Sequence, residues 1–237
     1  MFHNDAALDI AANINFVHQQ MAESASRAGR DPASVRLVAV TKTFPPEKIQ
    51  RAYECGLREF GENRVQEFRQ KLPRLNLPGA TFHLIGHLQS NKVHQAMVFD
   101  WIQTLDSEKL ALRLQQAAAQ AGKRIPVLIE VKLGEEAAKT GTLEAEVPSL
   151  ASLVASLDRL ELRGLMTIPP YMADPERSRP YFRRLRELRD RLQEAGFGQL
   201  RELSMGMSHD FPIAIEEGAT MVRIGTAIFG PRNSKQA

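Results

Sequence analysis

The segment "LVAVTKTFPP" (residues 37–46) carries a single lysine, Lys42, at the end of a run of apolar residues. The run is short and rich in valine, which is typical of a buried β-strand. Two prolines follow the lysine and end the strand pattern, because proline has no N–H to donate to a strand ladder. An ammonium group at the end of a buried strand is unusual, and the fold around it determines what it can do.

Short apolar runs of strand length recur along the chain and alternate with stretches of helical periodicity. The eight predicted strands are residues 35–41, 57–62, 81–86, 101–106, 126–132, 160–166, 200–205 and 220–225. Stretches between them, such as 107–123 and 146–159, place apolar residues at helical spacing. Strands that alternate with helices pair in parallel, and eight of them close a barrel.

We therefore predict one α/β domain over residues 1–237, a single (β/α)8 TIM-type barrel. Residues 1–34 form an extra N-terminal helix in this prediction, and residues 35–231 form the barrel. An open doubly wound sheet is the alternative, but no Gly-x-Gly-x-x-Gly turn follows the first strand. In a barrel the functional groups gather at the C-terminal ends of the strands.

The composition is that of a globular protein with a mildly basic charge. The 237 residues are 43% hydrophobic and 25% charged, and the net charge is +3. Seven arginines and three acids crowd residues 176–192, where Leu185, Leu188 and Leu192 recur at helical spacing. We interpret this segment as a solvated helix face above an apolar stripe, with a nucleic-acid groove as the alternative.

The single cysteine and the N-terminus bear on where the protein works. Cys55 has no partner for an internal disulfide, which fits a reducing compartment, and we interpret it as a packing residue. No basic segment followed by an apolar core opens the sequence, as a signal peptide would require. We expect a cytoplasmic protein that does not enter a membrane.

Lys42 stands at a predicted strand end, where the chemistry of a barrel is expected. Partial burial there disfavours the charged form and would lower the pKa of the Lys42 amine. A neutral amine attacks aldehydes, so a Schiff base is its natural use. The alternative is a lysine at the barrel rim with its head in water.

The loops after the last two predicted strands are rich in small residues and hydroxyls. In "SMGMSHD" (204–210), Gly206 is predicted to lie in a tight loop and Ser208 at the N-cap of a helix. Gly225 and Thr226 follow the eighth strand directly. Backbone N–H groups at these two loops form the phosphate site of many such barrels. With Lys42 opposite, they indicate a phosphorylated aldehyde, although each loop alone fits ordinary turn chemistry.

Other chemistries find less support in the sequence. His83, His87 and His94 have neither a cysteine nor a carboxylate at metal-ligand spacing, so we predict no metal site. Ser208, His209 and Asp210 are consecutive, whereas the members of a hydrolase triad come together from distant positions. Arg223 precedes Gly225 by two residues and is expected to point into the barrel, or else to pair with Glu202 or Glu216.

Five segments together resemble one family. They are "LVAVTKT", "FGENRVQE", "FHLIGHLQSNK", "GLMTI" and "LSMGMSHDFPIAIEEGATMVRIGTAIFG". They look like the pyridoxal phosphate homeostasis proteins (the YggS/PROSC family), and the resemblance covers residues 35–231. It implies the barrel fold of the N-terminal domain of alanine racemase and pyridoxal 5'-phosphate (PLP) as the cofactor.

The resemblance also implies roles for individual residues. Lys42 matches the lysine that forms the internal aldimine, and Arg223 matches the arginine at the pyridine nitrogen. A guanidinium keeps its proton, so the ring nitrogen stays unprotonated and the ring is a weaker electron sink. The remaining matches are Asn63 near the ring, Met166 packed on it, and Ser208, Gly225 and Thr226 at the phosphate, with Ser204 and Met207 nearby.

The chain departs from the family pattern at three positions. Arg64 stands where a tyrosine or similar residue usually follows Gly-Glu-Asn, and His87 replaces a proline or small residue. Lys132 stands where an asparagine is common, although Lys139 and Gly141 of that segment remain. Lys132 is therefore a candidate second amine near the cofactor.

The resemblance favours a protein that holds PLP for intracellular PLP homeostasis or transfer to apoenzymes, without robust turnover. A weak amino-acid racemase is the alternative. Racemisation needs a second base, a tyrosine in alanine racemase, and only Tyr171 among Tyr53, Tyr171 and Tyr181 lies in a predicted strand-end loop. We also expect no room for the second racemase domain, and hence a monomer. A Schiff-base aldolase that needs no cofactor is the third interpretation.

Overall fold

Nine strands and eight α-helices alternate in the computed structural model, which describes residues 9–134 and 140–231. The strands are β1 (Arg36–Val40), β2 (Glu59–Glu62), β3 (Thr81–Leu84), β4 (Trp101–Leu105), β5 (Ile125–Lys132), β6 (Thr142–Leu143), β7 (Leu160–Met166), β8 (Glu202–Met207) and β9 (Met221–Ile224). The helices are α1 (Ile10–Arg27), α2 (Pro46–Glu54), α3 (Val65–Lys71), α4 (Glu108–Gln120), α5 (Val147–Ala155), α6 (Arg179–Glu194), α7 (Phe211–Glu216) and α8 (Thr226–Phe229).

Eight of the strands close into a parallel barrel, as the sequence predicts. Each pairs with its neighbours in the order β1, β2, β3, β4, β5, β7, β8, β9. The ring closes where β9 pairs with β1, with Val38 opposite Arg223. The closure removes every open edge from the ring, and it brings the C-terminal ends of all eight strands to one mouth.

The structure adds details that the periodicity does not predict. The two-residue strand β6 attaches to the end of β5 outside the ring. The connection between β3 and β4 contains a 3₁₀-helix, Ser90–Val98, in place of an α-helix. β8 runs to Met207, because a bulge between Ser204 and Met207 lets it continue beside β9. Gly206 therefore lies in this bulge with φ of 89°, and not in the predicted loop.

The first helix, α1, covers the last two helices of the chain, α7 and α8. Five of its buried residues, Ile10, Ile14, Val17, Met21 and Ala25, recur at helical spacing, and the helix packs on α7 and α8. Asp9 caps it by accepting a hydrogen bond from the Ala12 N–H at 3.0 Å. The predicted N-terminal helix is thus confirmed, over Ile10–Arg27.

The arginine-rich segment forms α6, with its leucines turned inward. Leu185, Leu188 and Leu192 are buried, as the interpretation of a solvated face over an apolar stripe requires. Arginines on the outer side form ion pairs with Glu217 and Glu144. Cys55 caps the end of α2 and packs partly buried against the core, which fits its interpretation as a packing residue.

Apolar side chains fill the space between the barrel and the helices, but the barrel interior is mixed. Its apolar part is a small cluster formed by Val38, Leu128, Met166 and Met221. Buried polar side chains, including His83, share the interior with this cluster. Over residues 9–134 and 140–231, no helix combines the length and apolarity that a bilayer span requires.

Candidate functional site at the mouth of the barrel

A cavity at the C-terminal ends of the strands gathers most of the predicted site residues. Its volume is about 210 Å³. Ligand pockets usually hold roughly 300–1,000 Å³, so this cavity suits a small ligand and is too small for a dinucleotide. The lining residues are Val40, Lys42, Asn63, Ile85, Ile168, Met207, Ser208, His209, Arg223, Gly225 and Thr226.

A tight turn presents Lys42 to the cavity. The Phe44 N–H donates to the Thr41 carbonyl at 3.1 Å, which closes the turn around Lys42 and Thr43. The Thr41 N–H donates to the Gly61 carbonyl at 2.9 Å and so ties the turn to the end of β2. Lys42 is half-buried. The turn therefore fixes the backbone of the lysine at the rim of the cavity.

A buried ion pair supports this turn from below. Lys71 Nζ donates to the Thr41 carbonyl and to Glu62 Oε1, both at 2.9 Å, and lies 2.6 Å from Glu67 Oε1. The Thr41 hydroxyl donates to Glu62 Oε1 at 2.7 Å. Burial raises the pKa of Glu62 above its ordinary value, and the Lys71 ammonium opposes that rise. The pair thus couples the residue before Lys42 to α3.

Asn63 reaches the cavity because Gly86 lets two strand-end loops approach closely. A Cβ atom at Gly86 would lie 2.3 Å from the Asn63 carbonyl oxygen. The Thr104 hydroxyl donates to the Gly86 carbonyl at 2.9 Å and holds this loop in place. Only glycine fits the contact, so Gly86 positions Asn63 without touching the cavity itself.

Two backbone N–H groups of the loop after β9 converge on the hydroxyl of Ser208. The backbone N–H groups of Gly225 and Ala227 donate to Ser208 Oγ at 3.2 and 3.3 Å. The prediction that Ser208 caps α7 is wrong, because α7 begins at Phe211 and its N-cap is Asp210. Asp210 accepts from the Met207 N–H at 2.8 Å, which ends β8 and leaves Ser208 facing the cavity.

Arg223 lies on β9 with its guanidinium in the barrel interior. It is 3% exposed, and it donates to Ser204 Oγ at 2.7 Å and to the Thr167 carbonyl at 2.8 Å. Burial lowers the pKa of Arg223 to about 10, which leaves it charged at neutral pH. The alternative pairing partners bond elsewhere: Glu202 pairs with Arg36, and Glu216 with Arg27 and Arg179.

Two predicted residues lie outside the cavity lining. Ser204 is fully buried beneath Arg223 and acts on it as a hydrogen-bond acceptor. Met166 is fully buried in the apolar cluster of the interior. Ile168, two residues after β7, lines the cavity in addition to Val40 and Ile85. Sequence reasoning missed these three, because an isolated aliphatic residue gives no sign of facing a ligand.

The remaining alternatives do not match the geometry. Ser208, His209 and Asp210 turn to separate partners, since the His209 Nε2 contacts the Met172 and Ala173 carbonyls. No group of three metal-ligating side chains occurs within residues 9–134 and 140–231. Tyr171 is 79% exposed, and its ring centroid lies 5.5 Å from that of His209. Tyr171 does not line the cavity.

The comparisons with known proteins identify the family of this chain. The model of the family described as alanine racemase, N-terminal domain, matches residues 11–233. The pyridoxal phosphate homeostasis protein of Aquifex aeolicus is 45% identical over 226 residues, which are 95% of this chain and 99% of that protein. This chain belongs to the family of pyridoxal phosphate homeostasis proteins.

Solved structures place the family on the same fold. PipY of Synechococcus elongatus, solved with PLP bound, is 41% identical with a TM-score of 0.80, over 89% of this chain and 100% of that one. An alanine racemase of Clostridium difficile is 14% identical with a TM-score of 0.69. The match covers 93% of this chain and 61% of the racemase chain, and at that identity it shows a shared fold alone.

The three positions that depart from the family pattern lie outside the lining of the cavity that contains Lys42. Arg64 is exposed at the N-cap of α3. The Nδ1 atom of His87 lies 3.3 Å from Oδ2 of Asp106. Lys132 and Glu130 line a neighbouring cavity. The one lining residue that this cavity shares with the cavity of Lys42 is Ile168. Lys139 lies outside the described residues.

Proposed function

We propose that the protein binds PLP at the barrel mouth and holds it covalently through Lys42 for intracellular PLP homeostasis, without robust turnover. One observation carries the proposal. Lys42 and Arg223 line one small cavity, together with Ser208 and the loop after β9, whose backbone N–H groups converge on Ser208 Oγ. An amine, a second cation and a phosphate-type loop are the groups that a phosphorylated pyridine aldehyde requires.

The residues present fit this cofactor. Two backbone N–H groups converge on one oxygen atom, Ser208 Oγ, as they would on a phosphate oxygen. Lys42 would supply the amine for a Schiff base with the aldehyde. Asn63 and Met207 would lie beside the ring, and Thr226 beside the phosphate. Met166 would support the cavity floor from inside the barrel.

PLP supplies an electrophilic carbonyl carbon and an electron-accepting ring when bound. In the proposed site Arg223 would donate an N–H to the ring nitrogen and keep its own proton. The ring nitrogen would then stay unprotonated and withdraw electrons less strongly, which favours holding the cofactor over using it. The names of the relatives and the PLP-bound PipY structure support the same function.

The racemase alternative finds less support. It needs a second base at the cofactor, and the three tyrosines occupy other places. Tyr53 donates to the Pro78 carbonyl, Tyr181 lies on α6, and Tyr171 is exposed beyond His209. We further propose that the protein acts in the cytoplasm as a monomer and passes PLP to apoenzymes.

A binding titration tests the proposal. PLP added to the purified chain should give an absorption band of a protein-bound Schiff base, and Lys42→Met should abolish it. Lys109→Met, an exposed lysine on α4, is the matched control and should bind like the wild type. Absence of the band in the wild type would refute PLP binding through an amine. D-amino acid formed in excess over protein from a single L-isomer would refute the non-enzymatic role.

A further inference from the structure

A continuous hydrogen-bonded chain of side chains crosses the barrel interior beneath Arg223. Arg223 Nη1 donates to Ser204 Oγ at 2.7 Å, and Ser204 Oγ donates to Gln103 Oε1 at 2.6 Å. Gln103 Nε2 lies 2.9 Å from His83 Nδ1, and His83 Nε2 lies 2.6 Å from Glu59 Oε2. These five residues, here called the interior chain, come from β9, β8, β4, β3 and β2.

The interior chain is buried along most of its length. Ser204, Gln103 and His83 have no exposed surface, and Arg223 is 3% exposed. Barrel interiors are usually filled by branched apolar side chains. Polar groups at this depth cost free energy unless every one of them is bonded, and a bonded network specifies one arrangement. At the end opposite Arg223, the interior chain finishes at the partly exposed carboxylate of Glu59. Arg36 forms ion pairs there with Glu59 and Glu202.

Arg223 favours one direction of the chain, because a guanidinium can only donate and the hydroxyl that accepts from it bonds best by donating its own hydrogen onward. Ser204 Oγ accepts from Arg223, so its own hydrogen goes to Gln103 Oε1. The amide nitrogen of Gln103 then faces His83 Nδ1, which must be the unprotonated ring nitrogen. His83 therefore carries its proton on Nε2 and donates it to Glu59.

The opposite tautomer of His83 would reverse the chain. A proton on Nδ1 would turn the Gln103 amide, so that its NH₂ faced Ser204. Ser204 Oγ would then meet two donors, and its own hydrogen would lose the acceptor that Gln103 now provides. Arg223 would be held less firmly, since a hydroxyl oxygen shared by two donors is a poorer acceptor for each.

We propose that Gln103 and His83 are positioning residues that orient Arg223 toward the cavity by fixing the Ser204 hydroxyl as its acceptor. The proposal rests on the proposed function, in which Arg223 meets the ring nitrogen of PLP. Nη1 of Arg223 donates to Ser204 Oγ and Nη2 to the Thr167 carbonyl, and Arg223 also lines the cavity. Neither Gln103 nor His83 lines that cavity.

The first test uses the wild-type protein without cofactor. The ¹⁵N NMR spectrum of the His83 imidazole should show Nε2 as the protonated ring nitrogen and Nδ1 as the unprotonated one. In Ser204→Ala, Gln103 loses the hydroxyl that orients it, and the His83 signals should shift or split between tautomers. A wild-type ring with its proton on Nδ1 overturns the proposal.

The second test measures PLP affinity and the absorption band of bound PLP. Ser204→Ala should weaken binding about tenfold, equal to about 1.4 kcal/mol or one net hydrogen bond. Gln103→Leu, which does not touch Arg223, should weaken it by a similar factor and shift the band. Ser204→Thr restores the hydroxyl and should restore both. Wild-type affinity and spectrum in a folded Gln103→Leu protein overturn the proposal.

Thr142→Val is the matched control. Its buried hydroxyl donates to the Asp106 carbonyl at 3.0 Å, outside the interior chain. The variant should lose a buried hydrogen bond and keep its PLP affinity, which separates positioning from general destabilisation. The NMR test needs no PLP. A wild-type protein that fails to bind PLP therefore refutes the proposed function, whereas the tautomer of His83 in the NMR spectrum still decides whether the interior chain has the proposed direction.

Discussion

Thr43 shows how the residue next to Lys42 is held in an unfavourable backbone conformation. Its φ is 67°, and it is the one non-glycine residue with positive φ in the part of the chain that the structure describes. A β-branched residue in the left-handed region is strained. The Thr43 N–H donates to Glu67 Oε1 at 2.6 Å, which holds the strained turn. Such strain is characteristic of functional sites.

Replacing Thr43 should therefore stabilise the fold. Asparagine tolerates the left-handed region, so Thr43→Asn should raise the free energy of unfolding by about 1 kcal/mol. Urea denaturation measures the change. Thr81→Asn, at the start of β3, is the control and should lower stability, because asparagine disfavours strands. A Thr43→Asn protein no more stable than the wild type would show that the turn is not strained.

Arg223 allows a prediction about the reactivity of bound PLP. Arg223→Glu replaces a group that keeps its proton by one that can lend a proton to the ring nitrogen. Slow transamination of an L-amino acid should rise at least about tenfold, which is about 1.4 kcal/mol in the barrier. Formation of the amine form of the cofactor, followed by absorbance, measures it. Arg223→Gln, neutral and unable to protonate the ring, should stay slow; equal rates in both variants would argue against this placement of Arg223.

At the scale of elements, β1, β2 and α3 meet at the buried Glu62–Lys71 pair. The Glu62 side chain has no exposed surface and that of Lys71 is 9% exposed. Glu62 Oε2 has no hydrogen-bond partner within the described residues. Removing the cation from such a pair leaves a buried carboxylate uncompensated, which costs several kcal/mol.

Lys71→Met should thus lower the free energy of unfolding at neutral pH by about 3 kcal/mol. Without Lys71 the raised pKa of Glu62 rises further. A carboxyl whose folded pKa is raised loses stability as pH increases above its unfolded pKa, so the variant should recover stability in mild acid. Urea denaturation across that pH range measures it. The double variant Lys71→Met/Glu62→Gln should regain most of the loss; if it does not, the cost comes from packing and not from the unpaired charge.

Glu217, at the end of α7, joins α7 to α6 through three arginines. Its carboxylate contacts Arg179, Arg183 and Arg186 at 3.2, 2.9 and 3.1 Å, and its side chain is 5% exposed. Although burial opposes it, the bonds from Arg183 and Arg179 hold the pKa of Glu217 below its ordinary value. A depressed folded pKa contributes stability that is present above the unfolded pKa and lost as pH falls through the folded pKa.

Glu217→Gln should therefore cost about 2 kcal/mol at neutral pH, less than a fully buried pair because the arginines are partly exposed. The difference from the wild type should shrink as the pH falls through the folded pKa of Glu217. Thermal unfolding followed over pH measures both effects. Glu187→Gln, an exposed acid on α6, is the control and should change stability little. A difference that stays constant down to low pH would contradict the ionic account.

For the whole molecule, periodicity was sufficient to predict the barrel. All eight predicted strands exist and close in parallel, because buried parallel strands leave long apolar runs in the sequence. The strand β6 cannot be predicted from the sequence, because two residues are too few to show a periodic pattern. Ser208 was misplaced at the helix cap because Asp210, an equally good cap by composition, sits two residues later.

Part of the cavity can also be predicted from the sequence. Lys42, Ser208 and Arg223 belong to polar or charged types that stand out at the end of an apolar strand. The interior chain was not predictable, because Ser204 and Gln103 are 101 residues apart and meet only when the barrel closes. Isolated glutamine and histidine residues in strands give no sign of a partner across the barrel axis.

The central claim is that Lys42 is the amine that holds PLP. Borohydride reduction of the PLP-loaded protein, followed by peptide mass mapping, tests it most directly. We predict one reduced pyridoxyl phosphate group on the peptide that contains Lys42, and none on the peptide with Lys132. An unmodified Lys42 peptide, or the label on Lys132 in its place, would contradict the account.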